Sequence, residues 1–278
     1  LTFLYFFITM KNLFDIKGKV VVLTGGCGVL GRTIALYLAE QGAHMVILDM
    51  NEEAGKDFEA QLSAITPAMF LKTNVLDADI LEQNKRDILA RLGTIDVLLN
   101  AAGGNMAAAN IAPDKTFLDA SDEAIRKVVE LNLFGTILPT KVLGSVLCEK
   151  KEGAIVNFCS ESALRPLTRV FGYGCAKSAI ASYTKYMATE MAQKFSPRIR
   201  VNAIVPGFLI TNQNRALLTN PDGSLTPRGE DVIRHTPAGR FAEPEELCGT
   251  IHYLISEASS FVTGALSVVD GGFDIFSI

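Results

Sequence analysis

Tyr173 and Lys177 stand four residues apart in Tyr173-Gly174-Cys175-Ala176-Lys177, a separation that puts two side chains on one face of a helix. A phenol ionises near pH 10, too high for proton transfer at neutrality, but a neighbouring ammonium favours the phenolate. Such a pair can pass a proton to or from an oxygen while a bond changes at the adjoining carbon. Alone, it is also a common surface pattern. Ser160 closes an apolar run shortly before Tyr173, where its hydroxyl can hydrogen-bond a substrate oxygen. Asn132 interrupts an otherwise apolar helical stretch. A buried Asn needs partners, and a water between it and Lys177 would open a proton path to solvent. The competing reading is a helix kink, or an Asn that satisfies backbone groups.

A second group of residues could hold a nucleotide. Thr24-Gly25-Gly26-Cys27-Gly28-Val29-Leu30-Gly31 lies between an apolar run and a helical pattern. Glycines there let the backbone approach a pyrophosphate, whose charge is favoured at a helix N-terminus. Tight strand-to-helix turns use glycine anyway, so the acid that follows sharpens the signal. Asp49 ends the next apolar run, where a carboxylate can accept both ribose hydroxyls of an adenosine half and repel a 2′-phosphate. NAD is therefore expected over NADP. The alternative for Asp49 is to cap the following helix, a task Asn51 could perform. Asn74 and Val75 are placed to hold the adenine edge, and Asn100-Ala101-Ala102-Gly103 is small enough to leave room for the cofactor.

The elements that must position these residues alternate along the chain. Apolar runs at 20–23, 45–48, 68–71, 95–99, 154–158, 199–205 and 266–269 read as strands. Helical patterns cover 30–41, 51–63, 77–91, 121–147 (with Ser121 as N-cap) and 173–195. Unbroken Val/Ile/Leu runs suit strands buried on both faces, and regular alternation implies right-handed crossovers. The expected fold is α/β, one doubly wound domain over 11–278. Its parallel sheet has about seven strands, helices on both faces, and ligands at the strands' carboxyl ends. Residues 207–240, rich in Asn, Thr, Pro and Gly, interrupt the alternation and read as a substrate lid.

Composition bounds the rest. Of the 278 residues, 49% are hydrophobic and 20% charged, with a net charge of −4 and no basic run. These values suit a compact chain and give no footprint for nucleic acid. Cys27, Cys148, Cys159, Cys175 and Cys248 are scattered, and His44, His235 and His252 are far apart. No metal site is expected, and reduced thiols fit a cytoplasmic protein. Cys159 and Cys175 read as small buried thiols, His235 as a weak substrate contact, and His252 as facing a helix surface or interface. Residues 1–10 are apolar but too short to span a bilayer, and they lack a basic leader. They read as a non-native or upstream extension with Met10 as a natural start, and a membrane-peripheral anchor is the alternative.

These pieces together resemble the short-chain dehydrogenase/reductase family, along with Arg200–Gly207 and Asp270-Gly271-Gly272, over nearly the whole length. The resemblance implies a Rossmann-like fold and a tetrad of Asn132, Ser160, Tyr173 and Lys177. Lys177 would also bind the nicotinamide ribose, and Pro206, Gly207 and Thr211 would flank the nicotinamide amide. The implied cofactor set runs over Thr24, Gly25, Cys27, Gly28, Val29, Leu30 and Gly31, then Asp49, Met50, Asn74 and Val75. It continues through Asn100, Ala101, Ala102 and Gly103 to Tyr173, Lys177, Pro206, Gly207, Phe208 and Thr211. A homotetramer or homodimer is also implied, with neither nucleic acid nor membrane as partner. Val29, Asn74 and Ala101 depart from the family's usual Gly, Asp and Asn.

Within the family, Asn100–Asn105, Leu164–Thr168, Pro206–Arg215, Thr226–Gly229 and His235–Pro237 resemble the D-mannonate oxidoreductase (fructuronate reductase) branch. The implied reaction interconverts D-mannonate and D-fructuronate. A sugar acid needs a cation for its carboxylate and amides for its hydroxyls. Asn105, Ser160, Arg165, Gln213 and Arg215 are the expected contacts, with Arg169 and Asn214 also in reach. Arg165 and Arg215 could instead pair with acids at an interface or lid. Gluconate-type or 3-oxoacyl substrates, or an NAD sensor without turnover, are the rival readings.

Overall fold

The computed structural model describes residues 11–211 and 214–277. The expectation for 1–10 lies outside the described residues. Seven strands form one parallel sheet: β1 (Val20–Thr24), β2 (His44–Asp49), β3 (Ala68–Lys72), β4 (Val97–Asn100), β5 (Gly153–Phe158), β6 (Ile199–Pro206) and β7 (Leu266–Val269). Their order is β3-β2-β1-β4-β5-β6-β7. The order reverses between β1 and β4, which opens a crevice at their carboxyl ends.

Helices α1 (Val29–Glu40), α2 (Glu52–Ser63) and α3 (Ala78–Leu92) connect the first four strands. The apolar stretch after β4 is three helices, α4 (Asp122–Val129), α5 (Gly135–Val142) and α6 (Gly144–Lys150), with a π turn at Glu130–Phe134 between the first two. The helical stretch expected from Ser121, with Ser121 as its N-cap, is nonetheless present as one continuous run to Lys150, and the π turn within it was not legible in the sequence. Asp122–Lys150 is long and apolar enough to cross a membrane, yet more than half of its most apolar window is buried inside the protein. Then come α7 (Phe171–Lys194), the short α8 (Arg215–Leu218), α9 (Pro227–Arg234) and α10 (Cys248–Ile255). The alternation read from the sequence passes from 205 to 266 without α10, because Cys248–Ile255 has no polar face to give it a helical period. Its Ile251, Leu254 and Ile255 are fully buried.

Alternation along each strand feeds two apolar layers. Val21 and Leu23 pack with Ile34 and Leu38 of α1 and Ile251 of α10. Val20 and Val22 pack with Leu81 and Ile88 of α3 and Leu143 and Leu147 on the opposite side. Both faces are covered, as a parallel sheet requires.

A polar seam fixes the strand ends beneath the crevice. Asn100 Nδ2 donates to Thr140 Oγ1 and to Asn157 Oδ1, and Asn157 Nδ2 donates to Thr184 Oγ1, each at 2.9 Å. These bonds tie β4 and β5 to α5 and α7. Thr24 Oγ1 accepts the amides of Ala101 and Ala102 at 3.1 and 3.0 Å, locking the end of β4 to the end of β1.

Candidate active site

A cavity of about 640 Å³ opens over the carboxyl ends of the strands. The glycine turn forms one end. Gly25 has φ +68, and a Cβ there would lie 2.9 Å from Ala102 Cα. On Gly31 a Cβ would meet Gly25 O at 2.6 Å. The turn is thus pressed against β4 and α1, where only glycine fits. Gly28 caps α1 with no side-chain hydrogen bond, so the helix amides are free for an anion. Val29, at the first position of α1, lines the cavity, as do Cys27, Gly28, Leu30 and Gly31.

Asp49 reaches the same end from β2. Its Oδ2 accepts the Cys27 amide at 3.0 Å and its Oδ1 accepts the Asn51 amide at 3.0 Å. Asn51 caps α2 by accepting the Ala54 amide, which leaves Asp49 in the cavity wall rather than at a helix cap. The open helix end, the close-packed glycines and this carboxylate fit a dinucleotide.

The catalytic candidates meet at the other end. Lys177 is 4% exposed, and its Nζ donates to Phe158 O at 2.7 Å. It lies 5.5 Å from the centroid of the Tyr173 ring. Burial pushes the Lys177 ammonium down to about 8. Burial also pushes the Tyr173 phenol up to about 12, while a hydrogen bond with Ser160 pulls it the other way. The ring packs on Ala109, Ala124 and Val128. Ser160 ends the turn after β5 and its Oγ bonds the Ser162 hydroxyl at 3.1 Å.

Asn132 is fully buried at the centre of the π turn, a geometry frequent at functional sites. Its Oδ1 accepts the Gly104 amide, and its Nδ2 donates to Gly104 O and Val128 O. The side chain is therefore committed to backbone groups and stands behind the wall, not in it. Gly103 separates it from Lys177: a Cβ there would lie 2.6 Å from Asn132 Oδ1 and 3.6 Å from Lys177 Nζ.

Ala101, Ala102, Gly103, Asn105, Pro206, Gly207, Phe208 and Thr211 line the cavity as expected. Thr24 and Asn100 instead lie beneath it in the polar seam. The Met50 side chain is 66% exposed, outside the wall that Asn51 enters. Asn74 is exposed, with its Oδ1 accepting the Leu76 amide, and Val75 is buried against Gly135. Neither reaches the cavity, because the turn after β3 consumes the one and the core the other.

The expected substrate cations fare differently. Arg165 faces away, its guanidinium donating to the carbonyls of Phe273, Asp274 and Phe276 and stacking over Phe273. Arg215 is exposed and outside the wall, and Gln213 lies outside the described residues. The 207–240 segment does cover the cavity, through Gly207–Leu209, Thr211, Asn214, Leu217 and Arg228. Arg228 and Glu161 are wall residues that spacing did not reveal. Glu161 is 2% exposed, and neither carboxylate oxygen has a partner among the described residues. Its carboxyl is pushed up to about 8, first by burial and then by Asp270 and Asp274.

Other expectations also change. Cys159 is buried, donating to Lys177 O, but Cys175 faces solvent. His252 is buried, its ring nitrogens bonded to Tyr37 Oη and Phe14 O. His235 is exposed outside the wall, stacked edge-on with Phe276.

A family model described as enoyl-(acyl carrier protein) reductase matches residues 28–274. The chain is 38% identical to UxuB, an uncharacterised oxidoreductase of Bacillus subtilis, across 95% of this chain and 97% of that one. It is 32% identical to an NAD-dependent glycerol dehydrogenase of Listeria innocua, across 94% and 96%. Among solved structures, a candidate D-mannonate oxidoreductase from Haemophilus influenzae with bound NAD superposes with TM-score 0.88 at 37% identity, covering 95% and 97%. A gluconate 5-dehydrogenase from Burkholderia cenocepacia, in complex with NADP and tartrate, superposes with TM-score 0.84 at 29% identity, covering 95% and 98%. The chain belongs to the short-chain dehydrogenase/reductase family and is an oxidoreductase of alcohol and keto groups.

Proposed function

We propose that the protein interconverts the alcohol and ketone forms of a sugar acid with NAD(H), the best-fitting pair being D-mannonate and D-fructuronate. The observation that carries this reading is the convergence of Ser160, Tyr173 and Lys177 at one end of a cavity whose other end holds Asp49 and the glycine turn. The dinucleotide, when bound, takes or supplies the hydride. Every proton is the protein's responsibility.

In the oxidative direction Tyr173 Oη removes the proton from the substrate hydroxyl, and in the reductive direction it returns one to the carbonyl oxygen. Ser160 Oγ hydrogen-bonds that oxygen and holds it against the phenol. A phenol near 12 needs a cation beside it to serve at neutral pH, and the buried Lys177 ammonium is that cation. The Phe158 carbonyl fixes its position. At the adenosine end, the Asp49 carboxylate would accept ribose hydroxyls and would sit against a 2′-phosphate, which favours NAD.

The Asn110 amide and Thr211 hydroxyl in the wall suit a polyol, while Asn105 and Asn214 spend part of their amides on Asn110, Met106, Thr211 and Leu209. The Haemophilus relative supports the mannonate assignment, and the Burkholderia relative makes gluconate-type acids the second reading. NADH absorbance followed against D-mannonate, D-fructuronate, gluconate, keto-gluconates and acyl thioesters tests both. Turnover is expected on the mannonate–fructuronate pair with NAD(H). Turnover on gluconates alone replaces the substrate, and turnover on acyl thioesters alone removes the sugar-acid reading.

A further inference from the structure

The charged side chains of the cavity wall are Asp49, Glu161, Lys177 and Arg228. Asp49 is held at the glycine turn by the Cys27 and Asn51 amides. Lys177 is held on Phe158 O beside Tyr173. Glu161 is buried with no partner for its carboxylate oxygens among the described residues, an environment that disfavours its charge. Arg228 remains. It projects from the second position of α9, in the lid, and is only partly exposed. One nitrogen of its fork donates to Thr168 Oγ1 at 2.8 Å, which fixes the guanidinium against the loop that carries Leu167 and Val170 into the same wall. No carboxylate lies within salt-bridge distance of it among the described residues.

The neighbour of Arg228 is a second cation. The Arg169 guanidinium is close enough to disfavour its charge, after burial, with Asp231 opposing. Arg169 also has φ +72, a left-handed conformation that costs a non-glycine residue free energy. Its carbonyl accepts the Ile111 amide at 3.0 Å, which holds the strained turn in place. A partly buried guanidinium in a cavity wall, tied to Thr168 beside Arg169 and in no ion pair among the described residues, is suited to receive an anion. A carboxylate meets a guanidinium fork with two parallel hydrogen bonds.

We propose that Arg228 is the subsite for the substrate's carboxylate and thereby the residue that makes the enzyme prefer acids over neutral polyols. The proposal rests on the sugar-acid reading above and adds the residue that carries it. Because Arg228 lies on α9, a carboxylate bound there would contact the 207–240 segment as well as the catalytic end.

The test compares wild type with Arg228→Gln and Arg228→Lys on an acid and on its neutral counterpart, in which a CH2OH replaces the carboxylate. It adds tartrate, a hydroxy acid with no ketone to reduce, as a competitive inhibitor in the reductive direction. In Arg228→Gln, KM for the acid is expected to rise about 10- to 100-fold with a smaller change in kcat. The acid-over-neutral preference falls by the same factor, and the tartrate inhibition constant rises in parallel. Arg228→Lys restores part of the loss, since it returns the charge without the fork, a pattern that a merely structural role would not give. Equal losses on acid and neutral substrates, or tartrate inhibition unchanged in Arg228→Gln, overturns the subsite even if the acid is the substrate. If wild type prefers neutral polyols but tartrate inhibits it and Arg228→Gln relieves that inhibition, the anion subsite stands and the sugar-acid reading falls.

Discussion

Asp49 Oδ2 accepts the backbone amide of Cys27 at 3.0 Å, so the carboxylate that ends β2 also closes the glycine turn after β1. Its charge therefore lies where the ribose of the adenosine half would sit. Asp49→Asn keeps an oxygen for the Cys27 amide while removing the charge. The ratio of kcat/KM for NAD over NADP is expected to fall by about tenfold or more, because a like-charge contact costs several kcal/mol. An unchanged ratio would assign the exclusion of the 2′-phosphate to other groups.

Tyr173→Phe removes the hydroxyl proposed to move the substrate's proton and leaves Ser160 to hold the substrate oxygen without the Lys177-assisted phenol. A loss of about 10²- to 10⁴-fold in kcat is expected, with the NADH dissociation constant changed less than about threefold, since the ring and its packing on Val128 remain. Steady-state rates and NADH fluorescence titration measure the two quantities. Substantial residual turnover would move the acid/base role elsewhere.

The parts legible in the sequence are those set by short-range geometry. Tyr173 and Lys177 share a helix face, Ser160 follows the end of β5, and Gly25–Gly31 with Asp49 occupies consecutive strand ends; the strand pattern carried all of them to one crevice. What spacing cannot reveal is which of several equivalent side chains the tertiary packing releases. Arg165, Arg169, Arg215 and Arg228 look alike on paper. The chain end captures Arg165 through the carbonyls of Phe273, Asp274 and Phe276, and the lid turns Arg228 into the wall. Glu161 carries no signal in the sequence, since the acids that act on it, Asp270 and Asp274, are remote in the chain. Asn74, Thr24 and Asn100 show the converse: polar residues at strand ends, used by the fold rather than presented to a ligand.

Gly103 is the thin partition between Asn132 and Lys177. In Gly103→Ala the new methyl would lie 2.6 Å from Asn132 Oδ1, inside van der Waals contact. Asn132 cannot yield cheaply, because three hydrogen bonds to Gly104 and Val128 hold it. Stability is expected to fall by about 1–3 kcal/mol, and kcat by about tenfold or more as the floor beneath Lys177 shifts. Thermal melts and kcat on the preferred substrate check the pair of effects; a fully active, equally stable variant would mean that the floor is compliant.

Glu161 gives the stability of the protein a pH dependence of definite sign. Its carboxyl is pushed from an ordinary 4.5 up to about 8, chiefly by burial, with Asp270 and Asp274 raising it further and Arg165 opposing. Between those two values the folded chain holds a proton that the unfolded chain has released. Raising the pH through that window therefore favours the unfolded state, and the effect levels off above about 8. Glu161→Gln keeps the shape and cannot ionise. The melting temperature of the variant relative to wild type is expected to climb by several degrees between pH 5 and pH 8 and to stay level above that. Parallel melting curves for the two proteins across the window would mean that the carboxyl finds a partner, or solvent, when it ionises.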